Sequence, residues 1–334
     1  MRKWILASGA VALMATCAVA QGQRLSAGCR KQVIQLCGMN RDAIRGCLRE
    51  KMSQLPENCR NEIREQVSKR SGDGRGAVAQ GGKELSYGGD TRQNLDYFAV
   101  TGKSDAPLVV FVHGGGWSIG DKKHGAGTKS EYYNGLGYAF ASLNYRLVPN
   151  VNPGDQATDV ATAIAYLRKD ATRLGFDKNR IIVMGHSAGA HLAALVASDT
   201  RYLDKAGVPV SAIKGAVLLD GAGYDVAAQM GYKGNKVQGM YNAAFGKDPA
   251  VHAALSPIKY TVAPNSANWL ILHVASRPDA KTQSDALGNS LAKSGAAVAV
   301  KSVPDSTHMS VNQDAGKAGS FVGDAIKTFL DNIL

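Results

Sequence analysis

The run Arg180-Ile181-Ile182-Val183-Met184-Gly185-His186-Ser187-Ala188-Gly189 closes a short apolar, β-branched stretch with Gly-x-Ser-x-Gly. The alanine- and leucine-rich run Ala190-His191-Leu192-Ala193-Ala194-Leu195 follows at once. A strand that turns directly into a helix at a serine pushes that side chain outward as a nucleophile. Glycines flank it because so sharp a turn leaves no room for Cβ atoms at 185 and 189. The helix start behind Ser187 aims unpaired N–H groups, and the positive end of its dipole, at whatever reacts there. The chemistry so prepared is acyl transfer, which needs donors where negative charge develops on a carbonyl oxygen. A second run meets that need. Pro107-Leu108-Val109-Val110-Phe111-Val112 reads as a fully buried strand and ends in His113-Gly114-Gly115-Gly116-Trp117. Three consecutive glycines let backbone N–H groups close on a substrate.

These runs, with Asn144-Tyr145-Arg146-Leu147, resemble the α/β-hydrolase superfamily, in its esterase and lipase group with an HGGG-type oxyanion loop. The small carboxylesterase and arylformamidase-like branch is the most similar. The resemblance covers residues 84–334 and implies an α/β fold, a mostly parallel central sheet with helices on both faces. It implies an oxyanion hole built from the N–H groups of Gly115, Gly116 and Ala188. It also implies a triad running Ser, acid, His along the chain.

Ser187 needs a base, and the base needs an orienting acid. Of the seven histidines, His308 lies in a loop late enough, after the strand-like run Val298–Val303 and before the final helix. His113 belongs to the glycine run, His186 to the turn, His191 to the following helix and His273 to an apolar strand. His124 and His252 precede the acid. That acid is expected after Trp269–Val274, where Asp279 is the first carboxylate. Asp285 falls within the next helix, and Asp305 is too close to His308 in sequence. Asp220 and Asp225, after an earlier strand, are the alternatives, because the loop Ala275–Asp279 departs from the usual Gly-x-x-Asp spacing.

Strand-like runs at Asn94–Val100, Pro107–Val112, Ala139–Asn144, Arg180–Met184, Ala216–Asp220, Trp269–Val274 and Val298–Val303 alternate with helical runs such as Gln156–Lys169 and Asp285–Lys293. Continuous apolar strands separated by helices predict a parallel sheet covered on both faces. The interval 221–264 is rich in aromatic residues and methionine, with Tyr224, Met230, Tyr232, Met240, Tyr241 and Phe245, and could cap the site.

The front of the chain is different. Arg2 and Lys3, the apolar stretch Trp4–Val19 and the small residues Ala18-Val19-Ala20 predict a cleaved signal peptide over 1–20, hence a secreted or periplasmic protein. Residues 21–70 read as a small helical module, 71–83 as a glycine-rich linker and 84–334 as the catalytic domain. Cys29, Cys37, Cys47 and Cys59 form an even, clustered set whose spacing is wrong for zinc and predicts two disulfides. A helical hairpin favours the nested pairing, Cys29–Cys59 outside Cys37–Cys47. The module resembles the cysteine-rich repeats of Golgi apparatus protein 1. Residues 21–75 hold twelve Lys/Arg and six Asp/Glu, so this segment carries a large part of the chain's formal +12. No aromatic is interleaved with those charges, which argues against nucleic acid; an anionic envelope surface is a better match.

The sequence thus predicts an exported serine hydrolase of carboxylic esters, small-molecule or polysaccharide-linked, with no cofactor and no metal. An arylformamidase-like amidase would use the same machinery. A non-catalytic binding protein on this fold would be expected to lack Ser187, His308 or the oxyanion glycines.

Overall fold

Strand β3 (Ala106–Val112) shows how the sequence makes the sheet. Leu108, Val110 and Val112 enter one apolar cluster, while Val109 and Phe111 enter another on the opposite face. A strand buried on both sides must be apolar throughout, and period-two alternation sends its side chains to two separate cores. The computed structural model describes residues 26–37, 54–60, 62, 82–232 and 237–334. The chain divides into two compact units, residues 1–75 and 76–334.

In the larger unit β3 is joined by β1 (Lys83–Ser86), β2 (Asn94–Phe98), β4 (Ala139–Leu143), β5 (Phe176–His186), β6 (Ile213–Leu219), β7 (Asn268–Val274) and β8 (Ala297–Val303). They form one eight-stranded sheet in the order β1-β2-β4-β3-β5-β6-β7-β8. Pairing is parallel from β4 through β8; β2 runs antiparallel to β1 and to β4. The first cluster packs under the helices Pro153–Lys169 and Ala188–Ser198, the second under Phe321–Ile333. Pro153–Lys169 begins with a capping box, Asn152 and Asp155 each bonding the other's backbone N–H, and with Pro153 in the first turn. Its face of Ala157, Val160, Ala161, Ile164 and Leu167 then buries in the first cluster.

Strand β1 falls at the junction assigned to the linker. Only Leu85 of its four residues is buried, so an edge strand of this kind leaves almost no apolar signature. Strand β5 starts at Phe176, earlier than the Arg180–Met184 run, because its first residues are polar and partly exposed.

In the front unit the helix Ala27–Cys37 is crosslinked by Cys29–Cys59, the outer pair of the nested arrangement. Among the described residues, Cys29, Val33, Leu55 and Cys59 make a small buried cluster with Leu36 packed against it. Cys37 is also disulfide-bonded. Cys47 and the expected leader over 1–20, helical run over 41–48 and linker before Gly82 lie outside the described residues.

Candidate active site

Strand β5 ends at His186, and the helix Ala188–Ser198 begins one residue later, so Ser187 alone makes the turn. Its backbone sits at φ 57° and ψ −121°, strained for any residue with a Cβ. The surroundings explain the glycines. A Cβ at Gly185 would lie 2.1 Å from the Gly189 carbonyl oxygen, and one at Gly189 would lie 2.1 Å from that of Val112. The elbow is therefore pressed against its own helix and against the end of β3.

The glycine run after β3 packs on the same point. A Cβ at Gly114 would stand 3.0 Å from Ser187 Cβ. Gly115 and Gly116 both have positive φ, 125° and 57°. Among the described residues, the N–H groups of Gly115, Gly116 and Ala188 take no backbone hydrogen bond, so all three remain donors. The loop is held from behind. Tyr145 donates its hydroxyl to the His113 carbonyl at 2.8 Å, and Gln156 donates to that of Trp117 at 2.7 Å. The Trp117 indole N–H donates to His191 Nδ1 at 3.3 Å, and His191 Nε2–H donates to the Leu255 carbonyl at 2.8 Å. This chain ties the loop to the helix behind Ser187.

His308 opens the helix His308–Asp314, where Thr307 and Ser310 form a capping box. Its Nδ1 lies 2.6 Å from Asp220 Oδ2. Asp220 directly follows β6, has φ 45° and is 1% exposed. Its Oδ1 accepts the Val274 N–H at 2.9 Å, and its Oδ2 also accepts from Arg277 Nη1 at 2.6 Å. Burial alone would raise this carboxyl's pKa. The hydrogen bond from His308, the charge of Arg277 and the Val274 N–H outweigh it and hold the group at about 2.

Here the structure departs from the sequence reading of the acid. Asp279 is the second residue of the helix Pro278–Lys293, and its Oδ2 accepts from Arg277 Nη2 at 3.0 Å. The first turn of that helix directs its carboxylate to the guanidinium, while the positive φ of Asp220 turns the other carboxylate onto His308. Asp225, the second alternative, caps the helix Val226–Met230 by accepting the Ala228 N–H.

Two more residues at the site carried no sequence assignment. Arg277 occupies the cap position of its helix without capping it. His186, inside the elbow motif, donates Nε2–H to the His308 carbonyl at 2.8 Å, with the two rings 4.5 Å apart. Burial first, then the neighbouring His308, drives the His186 pKa down to about 3, so the ring stays neutral. Over the loop lies the helix Gln238–Phe245: Met240 Sδ would sit 2.2 Å from a Cβ at Gly116, and Tyr241 and Phe245 meet Trp117 edge-on. Among the described residues no cluster of three or more His, Cys, Asp or Glu is placed to hold a metal ion.

A family model described as BD-FAE matches residues 95–291. Isoprenylcysteine alpha-carbonyl methylesterase ICME of Arabidopsis thaliana is 33% identical over 168 residues, 49% of this chain and 38% of that protein. Esterase LipQ of Mycobacterium tuberculosis is 28% identical over 267 residues, covering 74% of this chain and 61% of its own length. Matches to the first isoprenylcysteine methylesterases span only 31% to 38% of those proteins. Esterase B of Lactobacillus rhamnosis superposes with a TM-score of 0.65 at 20% identity, covering 82% of this chain and 93% of its own. A truncated carbohydrate esterase from gut microbiota gives 0.64 at 22%, covering 76% and 96%. Both share the α/β-hydrolase fold with this chain.

Proposed function

The chain belongs to the BD-FAE family of α/β-hydrolase-type esterases, and on that premise we propose that it hydrolyses carboxylic esters through Ser187, His308 and Asp220. The observation that carries this reading is the buried Asp220 bonded to the partly exposed His308, set on the same sheet edge as a strained serine turn backed by three free N–H donors. Ser187 Oγ bonds to the acyl carbon while its proton passes to His308 Nε2. Asp220 accepts the Nδ1–H bond, fixes the tautomer and steadies the imidazolium that forms. The N–H groups of Gly115, Gly116 and Ala188 hold the oxyanion. His308 then protonates the departing alkoxide, leaving an acyl-serine. Water attacks that ester, its proton goes to His308, and the carboxylic acid leaves as Ser187 regains a proton. The leader-like residues 1–20 support export, so the substrate is an ester met outside the cytoplasm.

The test is Ser187→Ala in the mature protein. Labelling by a fluorophosphonate probe should vanish, and kcat on p-nitrophenyl acetate should fall by roughly 10⁴-fold or more. Full labelling of that variant would end the serine-hydrolase reading.

A further inference from the structure

Arg277 stands inside the polar cluster, yet acyl transfer as written gives it no step. Its Nη1 donates to Asp220 Oδ2 at 2.6 Å and to the Asp220 carbonyl at 3.2 Å, and lies 2.8 Å from His308 Nδ1. With the His308 proton on Nδ1, two donors converge on one carboxylate oxygen. The guanidinium charge then adjoins the ring that must take up a proton. We propose that Arg277 is a positioning residue that locks the Asp220 carboxylate and, by its charge, sets how readily His308 is protonated, with Asp279 anchoring the guanidinium. The catalytic meaning of this proposal rests on the ester-hydrolase reading above.

Both halves follow from the contacts. Asp220 Oδ1 is fixed by the Val274 N–H and Oδ2 by Arg277, so the carboxylate plane is set independently of the imidazole. The charged and titratable groups around His308 are Asp220 from the end of β6, Arg277 from the segment after β7 with Asp279 bonded to its other nitrogen, and His186 from the end of β5. His186 donates to the His308 carbonyl and carries no charge. Lys129, buried against the Phe111 ring, acts on His186 and lies outside the polar cluster. Two carboxylates and one guanidinium leave the surroundings of His308 at net −1, which an imidazolium neutralises. Removing Arg277 leaves −2 and favours the protonated ring; removing the Asp279 charge leaves zero and disfavours it. A unit charge about 5 Å away in a half-buried site is worth on the order of one pH unit.

The deciding experiment follows the His308 ring proton by NMR against pH in the mature wild type, Arg277→Gln, Arg277→Lys and Asp279→Asn. Arg277→Gln should raise the midpoint by about one pH unit, Arg277→Lys should restore most of it, and Asp279→Asn should lower it by roughly half a unit. The acidic limb of kcat/KM on p-nitrophenyl acetate should move with the midpoint. A merely structural arginine would lower the amplitude and leave the midpoint in place; that result, or an upward shift in Asp279→Asn, overturns the proposal. Because the midpoint is read without turnover, it decides the role of Arg277 separately from Ser187→Ala, which decides the reading beneath it.

Discussion

The segments that leave β6 and β7 lie side by side on the sheet, and each offers His308 a charged side chain. After β6 the chain delivers Asp220 at once, buried and turned by a positive φ so that its carboxylate reaches Nδ1. After β7 two residues intervene, Arg277 takes the helix cap, and Asp279 follows inside the first turn. The carboxylate there spends itself on the arginine. Both segments carry an aspartate, so residue type does not separate them. What separates them is backbone direction at the strand end and the partner already in place.

Asp220→Asn is the largest way to break this contrast. An amide cannot hold the imidazole in the working tautomer, and kcat should fall by roughly 10³–10⁴-fold. Asp279→Asn removes an anchor of Arg277 and one negative charge beside it, and should keep kcat within about tenfold on the same ester. If the two results exchange places, the acid belongs to the segment after β7. A smaller effect concerns stability. Asp220 is held near 2 in the folded protein, below the roughly 3.9 of an unfolded chain. Its stabilising share is full above the unfolded value and is lost as pH falls through the folded one. Urea midpoints should therefore drop more steeply between about pH 5 and 2 in the wild type than in Asp220→Asn. Equal slopes would mean that the carboxylate gains nothing from folding. His113, His186 and His191, buried neutral at about 4, 3 and 4, destabilise both proteins as pH falls below the ordinary imidazole range.

The elbow and the central strands were legible because steric rules leave few residue choices there. Gly185 and Gly189 admit no Cβ, and β3 to β7 must be apolar on both faces. Strand β1 was not, since one buried leucine in four residues gives no period to read. Asp220, which pairs with His308, stood in the sequence only as an alternative to Asp279, for a subtler reason. Aspartate visits positive φ more often than most residues, but its type alone does not say which aspartate will do so. Two signals were present all the same. Gly221 follows it where a Cβ would lie 2.3 Å from the Tyr224 hydroxyl, a mark of a crowded turn. After β7, a Gly-x-x-Asp pattern laid on Val274 puts Arg277 at the position of the acid. A cation there demands an anion from a neighbouring strand, and Asp220 is that anion.

The central claim, that Asp220 and not Asp279 orients His308, can be read without any substrate. A strongly hydrogen-bonded imidazole Nδ1–H gives a far-downfield proton resonance, well away from ordinary amides. The wild type should show this resonance for His308, Asp279→Asn should keep it, and Asp220→Asn should lose it. Its survival in Asp220→Asn together with its loss in Asp279→Asn would contradict the account.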